Sequence, residues 1–233
     1  MTMEAIIYIA HGSRRTAANE KFISFIRRIK NKPGGAIHAY GFLEHAEPSI
    51  SQAIEMCIDK GANKITVVPV LLLPGIHANE DIPNEFKGYP DIVFRYAEPL
   101  GVDEIMVEVL MDRLKAAGFE QTEDNAVLVV GHGSREQETA IEFETLARRL
   151  SGEMNVEVHT AYLTTPVFYL EMVEKLVDKR IYVLPYLLFS GGYKAKMEKE
   201  LRMYDESIKL CDPVGFDEKL IPLIQKRAGE VRT

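Results

Sequence analysis

The chain has 233 residues, 46% hydrophobic and 27% charged, a balance that excludes extended disorder and fibrous architectures and fits one large domain or two small ones. Its formal net charge of −7, from 28 basic and 35 acidic residues, argues against a nucleic-acid partner, because neutralising phosphates requires a clustered basic face. No apolar run reaches the roughly 18 residues of a bilayer span, the longest, Ile65 to Ile76, being interrupted by Pro69 and Pro74, so no membrane association is expected.

The first apolar run, Ala5 to Ala10, reads as a buried strand, and Phe22, Ile23, Phe25, Ile26 and Ile29 recur behind it at helical spacing. Ala36 to Glu44 is a second strand. Ser49 to Lys60 is a helix with Ile50, Ala53, Ile54 and Cys57 on one face, closed by Gly61, and Lys64 to Leu72 is a third strand. Ile92 to Tyr96 forms a fourth strand and Asp103 to Ala117 a helix ending near Gly118. Polar, aperiodic residues from Gly118 to Asn125 make the best linker. The first ten residues lack the basic start and small-residue cleavage pattern of a secretory signal, which makes the cytoplasm the expected compartment. Cys57 and Cys211 are the only cysteines and provide neither a disulfide framework nor a CxxC pair.

The same signals then recur in order. Ile6-Ile7-Tyr8-Ile9-Ala10-His11-Gly12-Ser13-Arg14 is matched by Val127-Leu128-Val129-Val130-Gly131-His132-Gly133-Ser134-Arg135, the histidines lying 121 residues apart. Pro69 to Gly75 is matched by Pro185 to Gly191 at an offset of 116, and Glu98 to Glu104 by Asp212 to Glu218 at 114. A shrinking offset is what loop deletions leave in a duplicated domain. Apolar strands alternating with amphipathic helices imply parallel sheets covered on both faces. The expected fold is therefore α/β, two similar Rossmann-like lobes facing each other, divided as 1–118 and 119–233.

In open parallel sheets ligands bind at the carboxyl ends of the strands. There the first half offers His11 after strand one, Glu44 ending strand two and His77 after strand three. Two imidazoles and a carboxylate make a plausible site for a first-row divalent ion with open positions. At the equivalent positions the second half has His132, Thr164 and Tyr193, which supply no second carboxylate or imidazole. A single centre in the first lobe is expected, with His132 structural and the second lobe supplying a wall.

His11-Gly12-Ser13-Arg14, Phe42-Leu43-Glu44 with Glu47-Pro48-Ser49-Ile50, and Val68-Pro69-Val70-Leu71-Leu72 leading to His77-Ala78-Asn79 and Asp81-Ile82-Pro83 resemble the sirohydrochlorin chelatases in their long, two-lobed form. The resemblance implies ATP-independent insertion of a divalent metal into sirohydrochlorin, Fe2+ to give siroheme or Co2+ in cobalamin synthesis. It implies metal binding by His11, Glu44 and His77, with His11 also a proton acceptor, and tetrapyrrole contacts from Glu47 and the loop Leu72, Leu73, Pro74, Gly75 and Ile76; Ser13 and Arg14 are further candidate substrate contacts. The lack of a histidine-rich linker or cysteine-rich tail shifts the choice toward iron. The metal is then a substrate, no prosthetic group is needed, and a monomer is expected, a homodimer being the alternative.

Histidine suits this chemistry, since it can both ligate a metal and accept a proton near neutral pH. No G-x-x-x-x-G-K-[ST] loop occurs, so nothing points to nucleotide-driven insertion. For a polycarboxylate substrate the candidate basic rim is Arg14, Arg15, Arg135, Lys194 and Lys196, around an apolar floor of Leu72, Leu73, Pro74 and Leu188. Met197, Met203 and Tyr193 are read mainly as packing residues. A non-catalytic tetrapyrrole or metal carrier remains the alternative of another class. A histidine phosphatase is disfavoured because His11 follows Ala10 rather than an arginine.

Overall fold

A computed structural model of the chain describes residues 3–29, 35–189, 191–204 and 207–231. Ser190, part of the second repeat match, lies outside them, as do Met1 and Thr2. The first repeat runs β1 (Met3–Ala10), α1 (Thr16–Arg27), β2 (Ile37–Phe42), α2 (Ile50–Asp59) and β3 (Ala62–Pro69). A π-helical turn (His77–Asp81) then continues into the short α3 (Ile82–Glu85), followed by β4 (Val93–Tyr96) and α4 (Glu104–Ala116). The second runs β5 (Asn125–Gly131), α5 (Gln137–Met154), β6 (Val158–Tyr162), α6 (Tyr169–Lys175), β7 (Arg180–Pro185), α7 (Gly191–Leu201), β8 (Ile208–Leu210) and α8 (Leu220–Gly229).

Each repeat builds a four-stranded parallel sheet, in the orders β2-β1-β3-β4 and β6-β5-β7-β8. This is the α/β architecture expected from the sequence. The central strands are buried on both faces, with Ile7, Tyr8, Ile9 and Ala10 in the first and Val127 to Val130 in the second inaccessible to solvent. Against the first sheet α2 packs Ile50, Ala53, Ile54 and Cys57. A fully buried residue such as Ile54 contributes about 1.5–3 kcal/mol. Ser49 starts α2 with a capping box, its hydroxyl accepting from the Gln52 amide while the Gln52 side chain accepts from the Ser49 amide. The third strand stops at Pro69, short of Leu72. Beyond it the Leu71 and Leu72 carbonyls accept from the Leu100 and Gly101 amides, both at 2.9 Å, rather than continuing a ladder.

The division at 118/119 marks the repeat but not the packing. The compact units are residues 1–101 with 218–233, and residues 102–217. The final helix of each repeat belongs to the unit built by the other, α8 packing on β3 and α4 against β7 and α5. Equivalent arginines anchor the two helices. Arg227 donates to the carbonyls of Pro99 (2.9 Å) and Leu100 (2.8 Å), while Arg113 donates to those of Pro213 (2.9 Å) and Val214 (3.0 Å) and pairs with Asp217. Each arginine thus satisfies the carbonyls of the matching turn in the other repeat, which is why the packing boundary is displaced from the sequence boundary.

Candidate functional site

The parallel register of β1 and β2 creates the site. Ala10 lies opposite Phe42, and pairing continues past both strand ends through the Leu43 amide to the Ala10 carbonyl (2.9 Å) and the Glu44 amide to the His11 carbonyl (3.0 Å). Two residues far apart in sequence are thereby held side by side at the carboxyl edge of the sheet. Gly12 makes the approach possible. Its φ is +91°, and a Cβ there would stand 1.9 Å from the Glu44 carbonyl oxygen. Gly12→Ala is therefore expected to lower stability by at least about 2 kcal/mol in urea unfolding, since backbone at both strand ends must move. An unchanged midpoint would show that the edge is pliable.

His11 Nε2 is 3.1 Å from Glu44 Oε1, and the His77 ring meets the His11 ring edge-on, with centroids 5.0 Å apart and planes at 89°. The three residues singled out in the sequence are thus neighbours. Burial pushes the His11 pKa below the ordinary histidine value, an effect that Glu44 opposes and His77 reinforces, so the ring is neutral at neutral pH. His77 lies on the π-helical turn, a type of irregularity that recurs at functional sites, and its Nδ1 is 2.7 Å from Asp81 Oδ2, four residues on. His45, in left-handed conformation at φ +64°, directs Nε2 to the other Glu44 oxygen, Oε2, at 3.4 Å. Among the described residues no three His, Cys, Asp or Glu side chains are placed so that, as they stand, they could hold a metal ion together. The donors stand in pairs instead, Glu44 divided between two imidazoles and His77 engaged through one nitrogen.

Ser13 lies at the same edge, its hydroxyl accepting from the Arg15 amide (3.2 Å) and its carbonyl from Asn19 (2.7 Å). Arg14 and Arg15, next to it in sequence, are exposed, and so is Glu47. Leu72, Leu73 and Gly75 are half-buried and Ile76 is exposed, whereas Pro74 is buried and belongs to the loop's interior rather than an open floor. One member of the proposed basic rim is already paired, Lys194 lying 2.6 Å from Asp212, while Lys196 makes only a loose surface contact of 3.8 Å with Glu200. In the second unit Leu188, read from the sequence as part of the floor, is buried among the core residues, Met197 is core as a packing residue should be, and Met203, read the same way, is instead 88% exposed.

A family model, CbiX, matches residues 5–117 and again 126–231, nearly the whole chain in two copies. The chain belongs to the CbiX family. Among its relatives, the sirohydrochlorin ferrochelatase of Priestia megaterium is 36% identical over 95% of this chain and 88% of its own length. The sirohydrochlorin cobaltochelatase of the same organism is 33% identical over 98% and 80%. SirB from Bacillus subtilis, solved with Fe3+, is similar at a TM-score of 0.87 and 30% identity, covering 98% of this chain and 95% of that one.

The twofold family match has a counterpart in geometry, because the second CbiX repeat rebuilds the strand-end frame with different side chains. The Thr164 amide donates to the His132 carbonyl at 3.1 Å, Gly133 has φ +105°, and the rings of His132 and Tyr193 meet edge-on with centroids 5.2 Å apart and planes at 81°. Here the Tyr193 hydroxyl lies 2.9 Å from His132 Nε2, and the Thr164 hydroxyl donates to the His132 carbonyl at 2.7 Å. His45 and Asp81 are the site neighbours that sequence reasoning missed. The first was signalled only by adjacency to Glu44, the second by its place one helical turn beyond His77.

Proposed function

We propose that this CbiX-family protein is a sirohydrochlorin ferrochelatase. It inserts a divalent ion into the tetrapyrrole without ATP, iron(II) being the main reading and cobalt(II) the alternative. The observation that carries the reading is the convergence of His11, Glu44 and His77 at one sheet edge. Ligand bonds of about 2.1 Å to a first-row ion place two donors about 3.1 Å apart when they subtend about 95° at the metal. The 3.1 Å between His11 Nε2 and Glu44 Oε1 is a hydrogen-bond distance that also suits such a donor pair. His11, neutral because burial disfavours its charged form, can ligate the ion or accept a pyrrole proton. Two pyrrole protons leave as the 2+ ion enters, so the charge of the macrocycle core is conserved. Metal and tetrapyrrole are both substrates, and no prosthetic group takes part.

Ser13, Arg14, Glu47 and the loop from Leu72 to Ile76 border this edge and are assigned to the tetrapyrrole, with Arg14 meeting a carboxylate. Among the described residues no helix is long and apolar enough to cross a membrane. We place the protein in the cytoplasm, acting as a monomer because one chain contains both repeats.

Asp81 fixes the tautomer of His77: accepting from Nδ1–H leaves Nε2 free as a donor. Asp81→Ala is expected to weaken cobalt binding about 10- to 100-fold, and Asp81→Asn, whose amide oxygen still accepts, by less. Equal affinity of Asp81→Ala and wild type in equilibrium dialysis would remove Asp81 from the site.

The deciding experiment follows sirohydrochlorin absorption anaerobically with Fe2+ or Co2+ and substrate in large excess over protein. Many turnovers above the spontaneous rate are expected. A single stoichiometric change without turnover would identify a carrier instead.

A further inference from the structure

We propose that His45 is a fourth donor to the metal ion, sharing it with His11, Glu44 and His77. The inference rests on the reading of this edge as a metal-insertion site, and two observations carry it. The 3.4 Å between His45 Nε2 and Glu44 Oε2 exceeds the N–H···O range of a firm hydrogen bond, about 2.7–3.2 Å. It is the separation of two donors about 2.1 Å from one ion at about 108°, close to a tetrahedral angle. The contact also uses the carboxylate oxygen that His11 leaves open, so one ion chelated by both Glu44 oxygens would lie within reach of both imidazoles. The His11 ring also lies near, with its centroid 6.4 Å from that of His45.

At φ +64° His45 stands in the left-handed region, which asparagine, aspartate and histidine adopt more readily than other non-glycine residues. The second observation is the internal comparison. In the second repeat Glu44 and His45 correspond to Thr164 and Thr165, so the carboxylate and this imidazole are absent together. His45 is one-third exposed, a little less than His11 and Glu44, so an ion arriving from solvent can reach it.

Two substitutions separate donation from packing. Asparagine keeps the left-handed backbone but its neutral amide ligates poorly, whereas aspartate tolerates the same backbone and restores an anionic donor. With cobalt(II) as probe, His45→Asn is expected to bind about tenfold more weakly by equilibrium dialysis and to raise the metal KM for insertion by a similar factor, with a smaller change in kcat. His45→Asp should recover at least part of that affinity. Cobalt affinity of His45→Asn within twofold of wild type, or His45→Asp binding no better than His45→Asn, overturns the proposal. The two readings fail separately. Wild-type protein that binds cobalt in a His45-dependent way yet never turns over would refute insertion while supporting the donor. Turnover with an unchanged metal KM in His45→Asn would refute the donor alone.

Discussion

His11→Ala and His77→Ala should each lower the rate of metal insertion at least about 100-fold while leaving the fold intact. His11 lies next to Glu44 and against the ring of His77, and in the proposed reading both reagents meet there. Removing it takes away an ion ligand and the nearest neutral imidazole able to accept a proton, a role that by itself contributes about 10²- to 10⁴-fold. His77 supplies the second imidazole, already oriented by Asp81. Stability should change by less than about 1 kcal/mol, because the side chains are 40% and 48% exposed and contribute little packing. Glu44→Gln should retain the fold as well but bind cobalt more weakly, since a neutral amide is a poorer ligand than a carboxylate. Initial rates measured anaerobically together with unfolding midpoints test all three. Wild-type rates in either alanine variant would remove that histidine from the chemistry. A rate lost in step with stability would mean that the residue serves the fold rather than the reaction.

The parts of this site legible in the sequence are those that local pattern determines. Ala5 to Ala10 reads as a strand because it is apolar throughout, and it is apolar because β1 is covered on both faces. A parallel sheet gathers its strand ends at one edge, so His11 and Glu44, placed just after β1 and β2, become neighbours without any long-range information, whereas His77, eight residues beyond the end of β3, is brought to them by the intervening loop and the π-helical turn. The exchange of α4 and α8 was not legible. Both helices carry an arginine at the equivalent position, and the turns those arginines anchor to, Pro99-Leu100 and Pro213-Val214, are themselves equivalent. Local sequence therefore fits either helix to either sheet, and only three-dimensional packing decides. The neutralisation of Lys194 was hidden for a related reason. Asp212 is 18 residues away on another strand end, outside any helical or strand periodicity.

The second repeat should hold no metal, and two substitutions should be enough to change that. Its frame already matches the first: ring centroids 5.2 Å apart against 5.0 Å, strand-end amide bonds of 3.1 Å against 3.0 Å, and a left-handed glycine after the histidine in both. What differs is the occupancy of the donor atoms. His132 Nδ1 lies 3.2 Å from the Gly133 carbonyl, which makes Nδ1 the protonated nitrogen, and the Tyr193 hydroxyl then donates to the Nε2 lone pair that an ion would need. Thr164 adds a neutral hydroxyl, itself directed to the His132 carbonyl, where the first repeat has a carboxylate. Neither oxygen is ionised near neutral pH, so neither competes well for a divalent cation. Cobalt titration of the wild type should saturate at one ion per chain, and His132→Ala should retain most of the activity that His11→Ala loses. Thr164→Glu combined with Tyr193→His frees Nε2 and supplies the missing carboxylate and imidazole on an unchanged backbone, so that variant should take up a second cobalt ion. A His132→Ala protein as inactive as His11→Ala would place chemistry in both repeats. A double variant still saturating at one ion would mean that the two frames differ in something beyond the side chains they carry.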